Sequence, residues 1–585
     1  MVQMGRLSAE RRLLVDQMRA GRAESGSGAP VLRPRSADQV FVPQSYAQEQ
    51  MWLVDQLLGP SVVGAAPLFL RAKGAVDTEA LRRAVTALIG RHEALRTTFA
   101  MVDGEPMQEV HPPPFMDFAV VDLLGHSEEE CAEQARQELA KGFDVRTGPM
   151  LRTRVYRRAA DDTFVLVARH HILVDASSDA VFLAELAELY RSEVTGTPAV
   201  LPELAVQYPD FAVWQRKYLT GERLESLLSY WDARLAEPPR PLTLPGSRPR
   251  PRLRTTRGEF LATPLTTDQS AGVLGLAQIE RVTPFMLLLA VLRVVLWRGT
   301  GERDVLVGTP MTGRTRPETQ ALIGFLINMV VLRHPVDDTL TVRRFLAGER
   351  ESVVEAYDHQ DLPYALLARR LARPMSFLNV VFSYEPTESS VPPFPGLVVS
   401  EVDLGLAVSQ NDLEVKVVRD GAAMTVHWAY DDEIIDRDTV ASLARAFQAC
   451  LAAAVAQPDL PLSELPAPTG IGPAAGSGPD QRRSAEPATR PPTGAIEEQI
   501  ADLWRELGHD PVRSDDDLFA LGGHSLTVAK LAFQFEAVFG LTVSVADLFT
   551  HPTVAGQAAH VERLLRARLS TMDNDEVGRK LSGLH

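Results

Sequence analysis

The sequence predicts an α/β body of two lobes followed by a small, mostly helical domain. Three observations predict it. Helical and strand patterns alternate densely from about residue 40 to 465, with only short breaks. Residues 466–493 are rich in Pro, Gly, Ala and Ser and lack any apolar period, which reads as a linker. At 494–566 apolar residues return with helical spacing and faces of their own. A chain of 585 residues is also too long for one hydrophobic core.

Taken in order, MVQMGRLSAERRLLVDQMRAGR (1–22) alternates charge with apolar residues at helical spacing. It predicts a short amphipathic helix rather than a signal peptide, and GRAESGSGAP (21–30) follows as a tether, so the body starts near 40. ALRRAVTALIGRHEALR (80–96) has helical periodicity after an Asp77/Thr78 cap signal. FVLVARHHILV (164–174), DVLVGTPM (304–311), NMVVLRHPV (328–336) and LNVVFSYE (378–385) are Val/Leu-rich runs of strand length. The seam between lobes is expected near 215–240, giving lobes at 40–215 and 216–465 and a polar tail at 567–585. FMLLLAVLRVVLW (285–297) is too short to span a bilayer and carries Arg293, so it reads as a buried helix, with no membrane partner expected.

Composition is that of a globular protein, 45% hydrophobic and 23% charged. The net charge of −16 argues against a nucleic-acid surface. Two cysteines, Cys131 and Cys450, make neither a disulfide framework nor a metal quartet; a reducing cytoplasm and no metal site are expected.

The segment RHHILVDASS (169–178) puts two histidines at the end of an apolar run and an aspartate four residues later. If 164–172 is a strand, neighbouring side chains point to opposite faces, so His170 and His171 cannot share one ligand. One ring should face the interior and the other the space beyond. Asp175 lies past the strand end, where an amphipathic helix begins. The residues by themselves fit a satisfied core histidine and a helix-capping aspartate as well as a reactive site.

The segment resembles the HHxxxDG signature of the condensation domains of nonribosomal peptide synthetases, which are related in fold to chloramphenicol acetyltransferase. Six further stretches resemble that family in the same order: SYAQEQMWLVDQL (45–57), RHEALRTTF (91–99), YPDFAVWQ (208–215), IGFLINMVVLR (323–333), HQDLPYALL (359–367) and RPMSFLNVVFSYE (373–385). The resemblance covers about three quarters of the chain. Gln50 and Met51 stand where the family's first element has an Arg-Leu pair, and Ala176 where the motif has glycine.

The resemblance implies a tunnel in which an amine on one carrier-bound acyl group attacks the thioester of another. It places His171 in that tunnel, taking a proton from the amine or orienting it and steadying the tetrahedral intermediate. It makes His170 a structural partner and Asp175 a salt-bridge member behind the motif, with Arg314 of PMTGRTRPE as the candidate partner. A methyl group at Ala176 is expected to narrow the tunnel or shift His171, since glycine permits close approach and unusual dihedrals.

In the second unit, DDDLFALGGHSLTVAKLAFQFEAVFG (515–540) has a Gly522-Gly523 loop, Ser525 opening a helix, and Val528, Leu531, Ala532, Phe535 and Phe539 on one face until Gly540 ends it. Alone, Ser525 reads as an N-cap. LGGHSL after D-x-F resembles the attachment site of peptidyl carrier proteins, which implies a 4'-phosphopantetheine arm on Ser525. GHSLT lacks the second Gly of a G-x-S-x-G hydrolase elbow.

The implied activity is that of an acyltransferase condensing a donor acyl or peptidyl thioester with an acceptor amine on the C-terminal carrier. Implied partners are an upstream donor carrier, an adenylation enzyme loading Ser525 in trans, a phosphopantetheinyl transferase, and a downstream synthetase or thioesterase. Two other classes stay open: an epimerisation domain, and a non-catalytic platform that recruits a tailoring enzyme to the carrier.

Overall fold

The computed structural model describes residues 30–571, apart from 37, 60–63, 114, 245, 251–257, 372–377, 387–390, 407–408, 470–489, 519–520, 522–524 and 542. The expected N-terminal helix, the tether up to residue 29, most of the linker and the end of the tail lie outside the described residues.

Five helices position the site. They are α1 (Tyr46–Leu58), α2 (Ala176–Thr195), α3 (Tyr208–Tyr218), α4 (Ser525–Phe539) and α5 (Val545–Thr550). Ser45 starts α1 with a capping box, accepting from Gln48 N while the Gln48 side chain reaches back to the Ser45 N–H. The helix expected after Asp77 runs Thr78–Arg91, with the Asp77 carboxylate accepting from Glu79 N and Ala80 N.

Two large sheets carry the body, and a third, three-stranded one is formed by Phe41–Pro43, Glu105–Val110 and Thr97–Val102. The first holds β1 (Leu68–Lys73), β2 (Asp117–Asp122), β3 (Leu151–Ala159) and β4 (Asp162–Arg169). The second holds β5 (Gly258–Pro264), β6 (Leu306–Met311), β7 (Asn328–Arg333), β8 (Val380–Pro386), β10 (Leu413–Asp420) and β11 (Ala423–Asp431). Between β8 and β10 the chain crosses over and adds β9 (Val398–Glu401) to the edge of the first sheet, antiparallel to β1. The orders are therefore β9-β1-β4-β3-β2 and β7-β6-β8-β10-β11-β5. The lobes are not two consecutive halves of the chain, because a strand from the second half completes the first sheet.

β4 reads as a continuous apolar run because it is central, with neighbours on both sides and every residue buried. Helix Pro284–Thr300, which contains the lipid-like stretch, is buried in the core of the second lobe, and Arg293 there pairs with Glu349 at 3.0 Å. Helix Arg437–Ala456 is long and apolar enough to cross a membrane by composition, and it packs against Pro284–Thr300.

In the C-terminal unit Trp504, Val528, Leu531 and Phe535 are buried and join the apolar cluster of the first lobe, and Trp504 Nε1–H donates to Gln557 Oε1 at 3.0 Å. Helix α4 ends at Gly540, whose φ of +60° is the left-handed conformation glycine adopts without cost. Helices α4 and α5 both pack on α1 of the body, and Lys530 Nζ meets Glu105 Oε1 at 2.6 Å.

Candidate active site at the lobe seam

The strand ends before the histidines. β4 stops at Arg169, His170 makes one bridge to Ala65, and His171–Leu173 form a single 3-10 turn. The expected strand through residue 172 is thus cut short, for a local reason. The Ile172 N–H, which would continue the ladder, donates to His170 Nδ1 at 3.1 Å. The two rings diverge because the chain turns, and not through alternation along a strand.

The hydrogen bonds give the two histidines opposite tautomers. His170 accepts at Nδ1, so its proton is on Nε2, which donates to Asp55 Oδ1 of α1 at 3.2 Å. The ring is buried edge-on to Phe143, and a Cβ at Gly64 would lie 2.4 Å from Nε2. His171 Nδ1 lies 2.9 Å from the Val174 carbonyl, which only accepts, so the proton is on Nδ1. That leaves the Nε2 lone pair as the basic atom of a half-buried ring, held edge-on to Phe325 with centroids 5.1 Å apart.

Asp175 caps α2 and closes a buried network across the seam. Oδ1 accepts from Ser178 N at 2.9 Å and Arg314 Nη2 at 3.0 Å; Oδ2 accepts from Arg314 Nη1 at 3.1 Å and Leu326 N at 3.0 Å. Ser178 Oγ lies 2.8 Å from Asp175 Oδ1 and accepts from Gly324 N at 3.1 Å. Arg314 meets Asp175 as a two-pronged pair, the geometry a planar guanidinium favours, and also donates to the Leu322 carbonyl. Burial pulls the Arg314 guanidinium below its ordinary value, with the Asp175 carboxylate opposing.

Other stretches singled out in the sequence converge on the same segment. Tyr208 OH donates to the Phe325 carbonyl at 2.6 Å, and Ser45 Oγ lies 2.7 Å from that hydroxyl. Tyr208 also packs so tightly on Gly324 that an added Cβ would sit 1.9 Å from its ring, so no larger residue fits there. Asn328 donates to the carbonyls of Gln360 and Leu362 and accepts from Tyr364 N, tying HQDLPYALL to β7. His92 and Arg91 share the Glu185 carboxylate, which fixes helix Thr78–Arg91 behind α2.

Ala176 is the first residue of α2, exposed and outside the positive-φ residues. The backbone there asks nothing that only glycine supplies. Sequence reasoning missed Asp55, Ser178, Gly64 and Phe325. Asp55 had a signal: it falls three and four residues after Trp52 and Met51, on their buried helix face. Gly64 and Phe325 had none, since only the fold brings them to the histidines.

Ser525 is the first residue of α4, while its side chain and residues 522–524 lie outside the described residues. The position suits an arm joined through a phosphodiester, because the positive end of the helix dipole favours an anion there. Among the described residues no group of three or more His, Cys, Asp or Glu is placed to hold a metal ion.

Residues 38–469 match the family model described as the condensation domain, and residues 498–561 that of the phosphopantetheine attachment site. One of the linear gramicidin synthase subunits of Brevibacillus parabrevis is 36% identical over 439 residues, which are 73% of this chain and 8% of that protein. Phosphinothricin tripeptide synthetase PhsB of Streptomyces viridochromogenes is 34% identical over 467 residues, 77% of this chain and 39% of that protein. The chain thus spans less than a tenth of the gramicidin synthase subunits it matches. Among solved structures, the complex of the X-domain and OxyB from teicoplanin biosynthesis matches with a TM-score of 0.68 at 24% identity, over 75% of this chain and 98% of that one. With the fold, the motif network and both family matches in hand, the chain belongs to the condensation-domain family of nonribosomal peptide synthetases and carries behind that domain a carrier unit for covalent 4'-phosphopantetheine.

Proposed function

We propose that the body condenses an upstream acyl or peptidyl thioester with an amine presented by the C-terminal carrier, forming an amide bond. The observation that carries this reading is the His171 tautomer: Nδ1–H is spent on the Val174 carbonyl, leaving Nε2 as a hydrogen-bond acceptor for an incoming amine. The ring cannot swing freely, because Phe325 abuts it and Tyr208, Gly324 and Leu326 pin that segment. His171 is the proposed catalytic residue. His170, Asp175 and Arg314 are positioning residues: they hold the turn and the seam, and none needs to touch substrate.

When attached, the arm on Ser525 supplies the thiol that carries acyl groups as thioesters. Packing of α4 and α5 on α1, the helix that holds His170 through Asp55, supports the carrier as the acceptor side. An orienting base and proximity suffice for an activated thioester. The intact Asp175 network and the undemanding backbone at Ala176 favour catalysis over a platform role. An adenylation activity that loads Ser525, an upstream donor carrier, a phosphopantetheinyl transferase and a downstream synthetase or thioesterase complete the proposal, in a reducing cytoplasm.

The test is to convert the chain to its holo form, load Ser525 with an aminoacyl group, and mix it with an acylated upstream carrier. Amide product on Ser525 is expected. Inverted stereochemistry without a bond indicates epimerisation, and complex formation alone indicates a platform; either outcome defeats the condensation reading.

A further inference from the structure

We propose that a cleft at the lobe seam is a carboxylate-binding subsite anchored by Arg316. The cleft has a volume of about 50 Å³, and its walls include Trp214 and Tyr218 of α3, Arg316, Leu326, Asn328 and Asp361. One water needs roughly 10–15 Å³, so the void takes a group the size of three to five waters, about a carboxylate and not an acyl chain.

The contrast with Arg314, two residues earlier, makes the case. Arg314 is buried and its Nη1 and Nη2 are claimed by Asp175, Ser178 and the Leu322 carbonyl. The Arg316 guanidinium lies 4.3 Å from the Trp214 ring centroid and 5.5 Å from that of Tyr218, and among the described residues it meets no carboxylate. Stacking occupies the face of a guanidinium and leaves its N–H edge free, the edge that matches a carboxylate in two parallel hydrogen bonds. Other polar groups of the cleft are engaged. Asn328 is held by Gln360, Leu362 and Tyr364, and Gln215 accepts from Tyr46 N. Asp361, the one acid in the wall among the described residues, accepts from Tyr218 OH at 2.9 Å and pairs with Arg223 at 2.9 Å, so its charge is compensated. Burial, and then that carboxylate, push the Tyr218 hydroxyl up from its ordinary value, which keeps its proton in place to donate.

The cleft also touches the reactive segment. Phe325 contacts His171, Leu326 N donates to Asp175, and Leu326 to Asn328 form the cleft wall. A carboxylate held by Arg316 therefore lies against the residues that set the His171 ring. The carboxylate comes either from an acidic substrate side chain, which rests on the condensation reading above, or from a free acid.

Calorimetric titration of the full chain with glutarate, and separately with inorganic phosphate, tests the site without any turnover. Glutarate should bind the parent, weaken at least about tenfold in Arg316→Gln, and persist partly in Arg316→Lys, which keeps the charge but not the fork. Melting temperatures matching the parent would establish that the variants are folded. No binding by the parent, binding unchanged in Arg316→Gln, or phosphate binding more tightly than glutarate would overturn the proposal. In the second arm, Ser525 is loaded with aspartyl or asparaginyl pantetheine and condensation rates are compared. A preference for the acid that vanishes in Arg316→Gln assigns the site to a substrate side chain. Glutarate binding without such a preference assigns it to a free acid. Product from neither loading, with glutarate binding intact, rejects the condensation reading and leaves the subsite standing.

Discussion

The two ends of the proposed reaction are built in opposite ways. Around the histidine motif, the Asp175 carboxylate and Ser178 hydroxyl of one lobe are tied to the Arg314 guanidinium and to backbone groups of Leu322, Gly324 and Leu326 in the other, so moving one member strains the rest. At the carrier, Ser525 begins a helix of a small unit joined to the body by a linker and resting on α1, with the Lys530–Glu105 ion pair at its edge. The difference teaches where rigidity is needed. The group that meets the amine must stay in one place, and the group that delivers the substrate must leave and return.

The strongest way to break this comparison is at His171. His171→Ala should lower amide formation on the order of 10²–10⁴-fold, the usual range for a lost general base, while the melting temperature stays near that of the parent. A half-buried ring with one backbone hydrogen bond contributes little to the fold. Near-normal turnover would reject His171 as the base or orienting group.

Next comes the seam. Arg314→Met leaves Asp175 buried without its cationic partner, which typically costs about 3–5 kcal/mol. Urea unfolding followed by near-ultraviolet dichroism should show an earlier transition for the body. The C-terminal helices around Trp504 contain neither member of the pair, so a transition of their own should fall where it did before. An unchanged body transition would mean that the pair is not the seam's anchor.

How much of this was legible in the sequence follows from what each feature depends on. The cap at Asp77, the buried helix around Arg293 and the apolar face of α4 rest on local period and chemistry, and these could be read directly. Arg314 was found only through the family resemblance, since nothing in PMTGRTRPE points to a carboxylate 139 residues away. The strand end at Arg169 was misread because apolar residues continue through Ile172 and Leu173, and periodicity cannot see a histidine ring taking the next N–H. The crossover strand β9 was also missed. VVSE is four residues long, and its partner β1 lies more than 300 residues earlier in the chain.

A smaller effect is expected at Gly64, which tests whether the structural histidine is as tightly held as its neighbours. Gly64→Ala puts a methyl group 2.4 Å from His170 Nε2, a contact that forces the ring or the loop to shift. Overpacking of this kind costs about 1–3 kcal/mol. Loss of the Asp55 hydrogen bond should accompany it, visible as a changed His170 ring-proton signal. A variant as stable as the parent, with that signal unmoved, would show that the loop yields and that Gly64 is not required by the ring.

The smallest effect belongs to the carrier contact, and it sharpens the contrast most. Lys530 and Glu105 form a pair in which the glutamate is 65% exposed, so charge reversal by Lys530→Glu should cost only about 0.2–1 kcal/mol of docking. A linker that keeps the carrier close raises its effective concentration, so turnover in cis should fall by no more than about fivefold. Supplied in trans to a body lacking its carrier, the same variant should show a raised KM with little change in kcat, and the loss should shrink as salt is added. Pairing Lys530→Glu with Glu105→Lys should restore the parent KM, since the swap returns opposite charges to the contact. If the swap restores nothing, the ion pair does not guide docking. The apolar contact of α4 and α5 with α1 would then be what brings the carrier to the body.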